Sequence, residues 1–518
     1  MTLVADELTV VNPATTEIVA TIPATPPDAV PGLVAHAQRA QERWAATAPA
    51  GRRELLVAVA ELLLDRLDEI ADTLVAETGK PRLEAFATDL FPAADCVVWA
   101  ASNAGRVLAP ERIRGLQPTL RHKRAWLVYE PLGVVAAITP WNFPFSIPLS
   151  VAAFAVAAGN AVLLKPSELT PLSGEAVARL FADAGAPPGL VQVAQGDGRV
   201  GEALVASPLL GKVVFTGSPA AGRSVAAAAG ANLVPVTLEL GGKDPMLVLD
   251  DADLDRAVAG ALWGGFVNAG QVCSGVERIY VDRTIYEPFV DGLAQRAARL
   301  RPGDEVGPLI SEAERARVEE LVADAFARGA EARAGARAPS PERRGWFYEP
   351  TVLVNVPPGA RIDREEIFGP VVTVAPVAGD DEAVAAANDS AYGLSASVWT
   401  RDPRRAARVG RRLVAGSVWH NDVSYSYGVG HASWGGRKSS GFGRTHSRHG
   451  LYDLSAIRFV DRDAGRVPVP WWYPYEERSV DGFRGAIRVL YRHGVRAKVA
   501  AAWRDRSGLA ALGRRYLG

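Results

Sequence analysis

The chain has 518 residues, too many for one hydrophobic core, so two or three domains are expected. Charged residues make up 22% and the formal net charge is −1, which removes any global attraction to nucleic acid or to an acidic membrane surface. With only two cysteines, Cys96 and Cys273, the chain is no disulfide scaffold, and a reducing compartment, the cytoplasm, is expected.

The first residues, MTLVADELTVVNPATTEIVATIP, carry two early acids and no basic stretch before an apolar run, so no signal or transit peptide is expected. Apolar spacing predicts one helix over 52–78, stopped by Gly79 and Pro81. Cys96, in ADCVVWA, sits at helical spacing and reads as a small buried hydrophobe. The segments 120–130 and 454–460 each suit a strand of an outlying sheet. The uncharged run from Pro131 to Leu164 is long enough to cross a bilayer. Pro131, Pro140, Pro144 and Pro148 interrupt it, and Asn142 and Asn160 lie inside, so a buried strand, a loop and a buried helix are expected instead.

From 133 onward, the strand-like runs GVVAAI, AVLLK, LVQVA, KVVFTG and VPVTLEL alternate with helices near 148–158, 171–184, 199–206 and from Ser218. A second alternating series runs from MLVLD at 246 to GSVWHND at 416. Such alternation predicts parallel sheets covered by helices, in two α/β domains with a cleft between them.

Cys273, in GQVCSGVERIYV, follows a polar Asn-Ala-Gly-Gln turn and precedes a strand-like run. A lone cysteine is more often buried filler, but a thiol in such a loop is a good nucleophile if its pKa is lowered. A cysteine attacking an aldehyde needs oxyanion donors, a hydride acceptor and a base. Asn142, in ITPWNFPF, can donate its side-chain amide to an oxyanion or cap the next helix. Glu239, ending the apolar strand of VTLELGGKDP, is either a paired structural charge or a poised base. No GxGxxG motif is present. VVFTGSPAAGRSV instead gives strand, Gly217-Ser218 turn and helix, where Ser218 can cap the helix and a pyrophosphate can sit at its positive end. In LLKPSELTP, Lys165 can reach phosphate or ribose, and Glu168 can accept from ribose hydroxyls while repelling a 2′-phosphate.

PWNFPF, LLKPSELTP, FTGSPAAGR, LELGGKDP, GQVCS and EEIFGPVV occur in the order and spacing of the aldehyde dehydrogenase superfamily, which the chain resembles from about Asn12 to Val460. The resemblance implies a Rossmann-like cofactor domain (1–118 and 132–240), an α/β catalytic domain (241–437), oligomerisation strands (119–131 and 450–460) and a C-terminal extension (461–518). It implies oxidation of an aldehyde to an acid through a cysteine thioester. Cys273 would be nucleophile, Asn142 with the Cys273 backbone N–H the oxyanion hole, and Glu239 the base. Lys165 and Glu168 would hold the adenosine ribose, Ser218 the pyrophosphate, and Glu366 with Phe368 the nicotinamide end. Thr139, Pro140, Trp141, Ser167, Gly198, Phe215, Thr216, Gly217, Leu240 and Gly241 complete the expected cofactor contacts. NAD is expected over NADP because of Glu168, although Ser167 and Lys165 leave NADP open. Resemblance also assigns Asn421, in VWHND, to support of the substrate pocket.

The departures also inform. Coenzyme A-acylating relatives lack a glutamate at the Glu239 position, so hydrolysis is expected. Succinate-semialdehyde relatives carry arginines where this chain has Val267 and Ser150. The expected pocket of Phe143, Ile147, Ser150, Val267, Val272 and Asn421 is roomy and apolar, and suits broad or apolar and aromatic aldehydes. Succinate semialdehyde and a membrane-associated fatty aldehyde are the alternatives, and a catalytically dead binding protein is disfavoured by intact Cys273, Glu239 and Asn142. Ser433-Trp434 replaces the family's Pro-Phe. No metal, nucleic acid or membrane partner is expected; a homodimer or homotetramer is. The tail carries twelve basic and six acidic residues. It is expected to run extended through Trp471, Trp472, Tyr473 and Tyr475 over a neighbouring subunit. A helix from Phe483 would then place Arg484, Arg488, Arg492 and Arg496 on one face and pack Phe483, Ile487 and Leu490.

Overall fold

Val134–Ile138, Ala161–Lys165, Val191–Val193, Leu210–Gly217 and Val236–Leu240 form parallel neighbours in one sheet of the computed structural model. The structure describes residues 7–116, 120, 122–337, 344–463, 465, 469, 471–473, 475 and 477–517. Every residue of Val134–Ile138 and Ala161–Lys165 is buried. Both faces of the sheet are therefore covered, which is why these strands read as continuous apolar runs instead of alternating. A short strand, Gly441–Phe442, closes the outer edge antiparallel to Leu238 and Glu239.

A second sheet has, among the described residues, the order Glu331–Ala334, Thr351–Val354, Val371–Val377, Val276–Asp282, Asp244–Val248, Ser395–Trp399, Ser417–His420. Its first pair is antiparallel and the rest are parallel. Both sheets belong to one compact unit, the chain through Leu108 together with Glu130–Ala456. Loops at the carboxyl ends of the parallel strands are where an α/β fold builds a site.

The uncharged stretch from Pro131 resolves into the strand Val134–Ile138, a loop and the helix Ser146–Ala157, all of whose residues are buried. No helix of the described residues is long and apolar enough to cross a membrane. The single helix expected over 52–78 is two, Pro49–Asp65 and Leu67–Thr78, broken at Arg66 (φ −114°, ψ 19°). The Arg66 guanidinium reaches Asp183 at 2.6 Å. Leu56, Val59 and Leu63 before the break stay in phase with Ile70 and Leu74 after it, so the hydrophobic period conceals it. Gly79 ends the second helix with φ 65°. Cys96 is buried within Phe91–Val107, as expected of filler.

Ala109–Tyr129 and Ile457–Gly518 form a second unit. Its sheet holds the two expected strands, Arg124–Pro131 and Ser455–Arg462, and a third, Glu111–Ile113, that the sequence reading did not anticipate. Lys123 joins Asp461 at 2.7 Å. The tail helix runs from Glu477 to Tyr491. Gly494, with φ 86°, then opens a separate helix, Val495–Arg504. Arg492 and Arg496 thus fall beyond the first helix, and the expected four-arginine face does not form. The first helix packs against a third, Arg506–Leu517, of the same chain: a Cβ on Gly482 would lie 2.6 Å from the Gly508 carbonyl oxygen. Arg488 pairs with Asp505 at 3.0 Å. Ile487, expected to pack with Phe483 and Leu490 on a neighbouring subunit, is exposed in the single chain. Trp471, Trp472, Tyr473 and Tyr475 are exposed; Pro468, Pro470 and Pro474, on which the extended course rested, lie outside the described residues.

Candidate active site

Asn268, Ala269 and Gly270 take consecutive left-handed conformations (φ 53°, 56° and 70°) just before Cys273. Glycine is required at the last of them, since a Cβ on Gly270 would sit 2.1 Å from the Gly369 carbonyl oxygen. This turn carries the chain into the strand Val276–Asp282 and leaves Cys273 partly exposed to two cavities. One has a volume of about 380 Å³ and the other about 560 Å³. Thr216, Glu239, Leu240 and Cys273 line both and form the wall between them. Burial pushes the Cys273 thiol pKa up, and Asp244, Glu366 and Glu239 add to the rise, while the Ser274 backbone N–H opposes it. The resting thiol is therefore protonated, and a base must take its proton before it attacks.

Glu239 stands at the end of Val236–Leu240, buried, with the Trp434 side chain as its hydrogen-bonding neighbour. Burial raises its pKa to about 8, against the nearby Arg444 charge. A carboxyl with that value can accept a proton near neutrality. Asn142 lies in the loop between Val134–Ile138 and Ser146–Ala157. Its Nδ2 donates to the Gln271 carbonyl at 3.0 Å, and its own carbonyl accepts from Lys80 Nζ and Asn268 Nδ2, each at 3.0 Å. Asn142 and Cys273 line the larger cavity together. The Cys273 backbone N–H has no protein acceptor among the described residues.

The larger cavity gathers Pro140, Trp141, Thr216, Gly217, Ser218, Leu240, Gly241, Glu366 and Phe368 with the three central residues. It adds Arg223, Glu314, Arg317 and Tyr392, which the sequence reading missed. Ser218 caps the helix Pro219–Ala231, its Oγ accepting from Ala221 N–H. Trp141 and Phe368 meet edge to face at 5.4 Å. Glu277, itself paired with Lys243 at 2.6 Å, accepts the backbone N–H groups of Ile367 and Phe368 and so fixes the Glu366 loop. Burial raises the Glu366 pKa to about 8.

Thr139, Lys165, Ser167, Glu168, Gly198 and Phe215 do not line that cavity. Thr139 N–H donates to the Lys165 carbonyl at 3.1 Å, and Lys165 Nζ reaches the Gly196 carbonyl at 2.6 Å and Glu168 at 3.4 Å. Ser167 is buried, and Gly198 begins the helix Gly198–Val205. Phe215 lies behind Gly217, where a Cβ would come 2.7 Å from its ring.

Phe143, Ile147, Val267 and Val272 line the smaller cavity as one apolar cluster. Ser150 does not: one turn from Phe154 on their buried helix, it faces a separate small void with His446. Asn421 does not line it either. Its side chain is spent bridging the Thr400 backbone N–H and carbonyl at 3.0 and 2.9 Å, and the next residue, Asp422, reaches the cavity. Phe91, Trp263, Tyr425, Tyr427 and Trp434 add rings to the wall, with Tyr427 and Trp434 edge to face at 5.7 Å. Of these, the sequence marks Trp434 as a departure; the aromatic run from 425 to 434 is a signal for Tyr425 and Tyr427, and nothing in the sequence singles out Phe91 or Trp263. Among the described lining residues there are two carboxylates, Glu239 and Asp422, and no lysine, arginine or histidine.

A partly exposed thiol, a buried carboxyl and a side-chain amide come together where two cavities meet, on the loops of an α/β fold, as in an enzyme site. The model of the aldehyde dehydrogenase family matches residues 3–460, and the chain belongs to that family. Betaine aldehyde dehydrogenase 1 of Rhizobium meliloti is 39% identical over 89% of this chain and 95% of its own length. Betaine aldehyde dehydrogenase of Brucella canis is 39% identical over 90% of this chain and 95% of its own. Among solved structures, betaine aldehyde dehydrogenase of Staphylococcus aureus in complex with NAD+ superposes with a TM-score of 0.86 at 33% identity, over 90% of this chain and 94% of that one. An NADP-dependent enzyme of E. coli gives 0.84 at 37% identity, over 88% and 95%. The chain is thus an oxidoreductase acting on an aldehyde group.

Proposed function

We propose that this enzyme oxidises an aldehyde bearing a quaternary ammonium group to the carboxylic acid, with NAD+ and through a thioester on Cys273. One observation carries the choice of substrate. The cavity that reaches Cys273 offers six aromatic rings and two carboxylates, and no basic side chain among the described residues. Aromatic faces and carboxylates attract an alkylammonium cation. The names of the rhizobial, Brucella and staphylococcal relatives agree with this reading. Succinate semialdehyde would bring a carboxylate toward Asp422 with no basic side chain among the described lining residues to offset it. Apolar or aromatic aldehydes are the second reading, favoured by the cluster of Phe143, Ile147, Val267 and Val272.

The larger cavity fits a dinucleotide. The Gly241 Cα lies so near Glu366 that a Cβ would stand 2.1 Å from Oε2, leaving bare backbone toward the cleft. The N-terminus of Pro219–Ala231 opens on the same space and suits a pyrophosphate. NAD+, when bound, supplies the acceptor for the substrate hydride. Glu239 takes the Cys273 proton, directly or through water, and the thiolate forms a C–S bond to the aldehyde carbon. Asn142 Nδ2 and the Cys273 N–H donate to the oxyanion. After oxidation Glu239, having released the first proton to solvent, takes a proton from the water that attacks the thioester, and the C–S bond breaks with Cys273 departing as thiolate as the acid forms. Glu168, beside Lys165, disfavours a 2′-phosphate, which supports NAD+ over NADP+.

In this reading the first sheet is the cofactor domain and the second the catalytic domain, and the strands of the second unit serve a homodimer or homotetramer. The two free thiols suit the cytoplasm. The test is kcat/KM for betaine aldehyde, neutral aliphatic and aromatic aldehydes and succinate semialdehyde, each with NAD+ and NADP+. Betaine aldehyde is expected to lead by about tenfold or more, and a lead by neutral aromatic aldehydes would transfer the assignment to the second reading.

A further inference from the structure

Lys80 follows the helix-ending Gly79 and is 2% exposed, one of the largest fully buried side chains in the chain. A lysine is almost never buried this deeply without a partner, and a specific use for the charge is the ordinary reason. Its Nζ has two hydrogen-bond acceptors. One is Asp89 Oδ2 at 2.7 Å, and Asp89 is itself wholly buried. The other is the backbone carbonyl of Asn142 at 3.0 Å. The ammonium also stands 5.1 Å from the centre of the Phe143 ring, in the wall of the smaller cavity.

The contacts beyond these form a closed set. Asp89 Oδ1 accepts the Ser146 backbone N–H at 3.1 Å, so the Lys80–Asp89 pair grips both ends of the loop that presents Asn142. The Asn142 carbonyl takes a second donor, Asn268 Nδ2, at 3.0 Å. Asn142 Nδ2 donates to Gln271 O, two residues before Cys273. Glu84 Oε2 accepts the Asn268 backbone N–H at 3.0 Å and holds the left-handed turn from the other side. One short segment, 80–89, therefore grips the amide loop and the thiol loop together.

We propose that Lys80 is a positioning residue for the oxyanion site: its charge, neutralised by Asp89, fixes the Asn142 carbonyl and thereby aims Nδ2 at the space beside Cys273. The proposal rests on the reading of Asn142 as oxyanion donor. Lys80 touches neither substrate nor cofactor and acts through Asn142 alone. Replacing Lys80 and Asp89 together by neutral residues of similar size removes the grip without leaving a lone buried charge.

The test is a double-mutant cycle on full-length enzyme, read as the rate of the first-turnover NADH burst, with the NAD+ dissociation constant and melting temperature measured alongside. K80M/D89N is expected to slow the burst by about 100-fold, the scale for loss of one oxyanion donor, with NAD+ affinity changed less than threefold. K80Q serves as a second variant if the pair folds poorly, with a loss in the same direction expected. In an N142A background the same substitutions should cost less than threefold further, because the contact they support is already gone. An equal loss in both backgrounds would overturn the proposal and make Lys80 a general structural residue. A normal burst in K80M/D89N would overturn it too. A normal burst in N142A alone would instead remove the Asn142 reading, and the proposal with it.

Discussion

Gly242 lies against the backbone of Cys273 so closely that a Cβ on it would come 2.3 Å from the Cys273 carbonyl oxygen. The same glycine donates its N–H to Glu366 Oε1 at 2.9 Å, so it joins the thiol loop to the cofactor cleft. Gly242→Ala should displace Cys273 backbone and cut kcat/KM by about 100-fold or more, the scale for misplacing reacting groups by an ångström. Gly241→Ala, which meets the movable end of Glu366, should raise the KM for NAD+ more than it lowers kcat. Steady-state kinetics of the two variants separates these outcomes, and wild-type turnover in Gly242→Ala would contradict the geometry.

Glu239→Gln should slow the first burst of NADH, because Cys273 loses its base, and slow the steady rate further, since hydrolysis of the thioester needs the base again. The wild-type steady rate should rise with pH through about 8, where the carboxyl ionises. Stability should move the opposite way. The folded pKa is raised above the ordinary 4.5, so the stabilisation is complete below about 4.5 and is lost as pH climbs through about 8. Glu239→Gln is therefore expected to melt higher than wild type at pH 9, by about 2–4 °C, and to lose that advantage at pH 5. Parallel melting curves across this range decide it.

Cys273→Ala should abolish oxidation while NAD+ still binds. Of the two thiols, Cys273 alone should react with iodoacetamide in the folded enzyme, because Cys96 is wholly buried while Cys273 is partly exposed. Mass spectrometry of the labelled peptides reads this directly, and label on Cys96 before unfolding would argue against the packing described.

Asp422→Asn should raise KM for betaine aldehyde about threefold to tenfold and leave neutral aldehydes within twofold. The expected loss is that of one partly solvated charge attraction. An equal rise for both substrate types would mean that Asp422 shapes the cavity and does not select charge.

Truncation after Asp463 keeps the strand Ser455–Arg462 and removes the three tail helices. Since the family match ends at 460, oxidation chemistry should survive. A smaller mass by light scattering would give the helices and exposed rings a role in assembly. An unchanged mass and aldehyde profile, with loss of binding to anionic vesicles, would assign them to a lipid surface instead.

The sequence made the strand order of chemistry legible because each site residue sits at a strand end or in a turn marked by proline or glycine. Cys273, Glu239 and Asn142 stand out in that way, and the structure brings all three to one cavity. Lys80 does not stand out, because a lone lysine after a helix reads as solvated; only the fold supplies its buried partner 9 residues on, Asp89. Ser150 was misplaced into the pocket because spacing along a helix does not say which of two buried faces a residue takes when every position is apolar or small. The break at Arg66 was hidden by uninterrupted periodicity. Asp422 and the rings at 425–434 lie in irregular chain, where no period exists to read.

Among the described residues, the two cavities share Thr216, Glu239, Leu240 and Cys273 alone. A molecule filling the aromatic chamber therefore need not overlap one filling the cleft. An unreactive quaternary ammonium alcohol should accordingly compete with the aldehyde and not with NAD+, and the bound acid should be able to depart before the nucleotide does. Entry and exit then become two separate routes past a common thiol, and the order in which they empty sets the inhibition pattern.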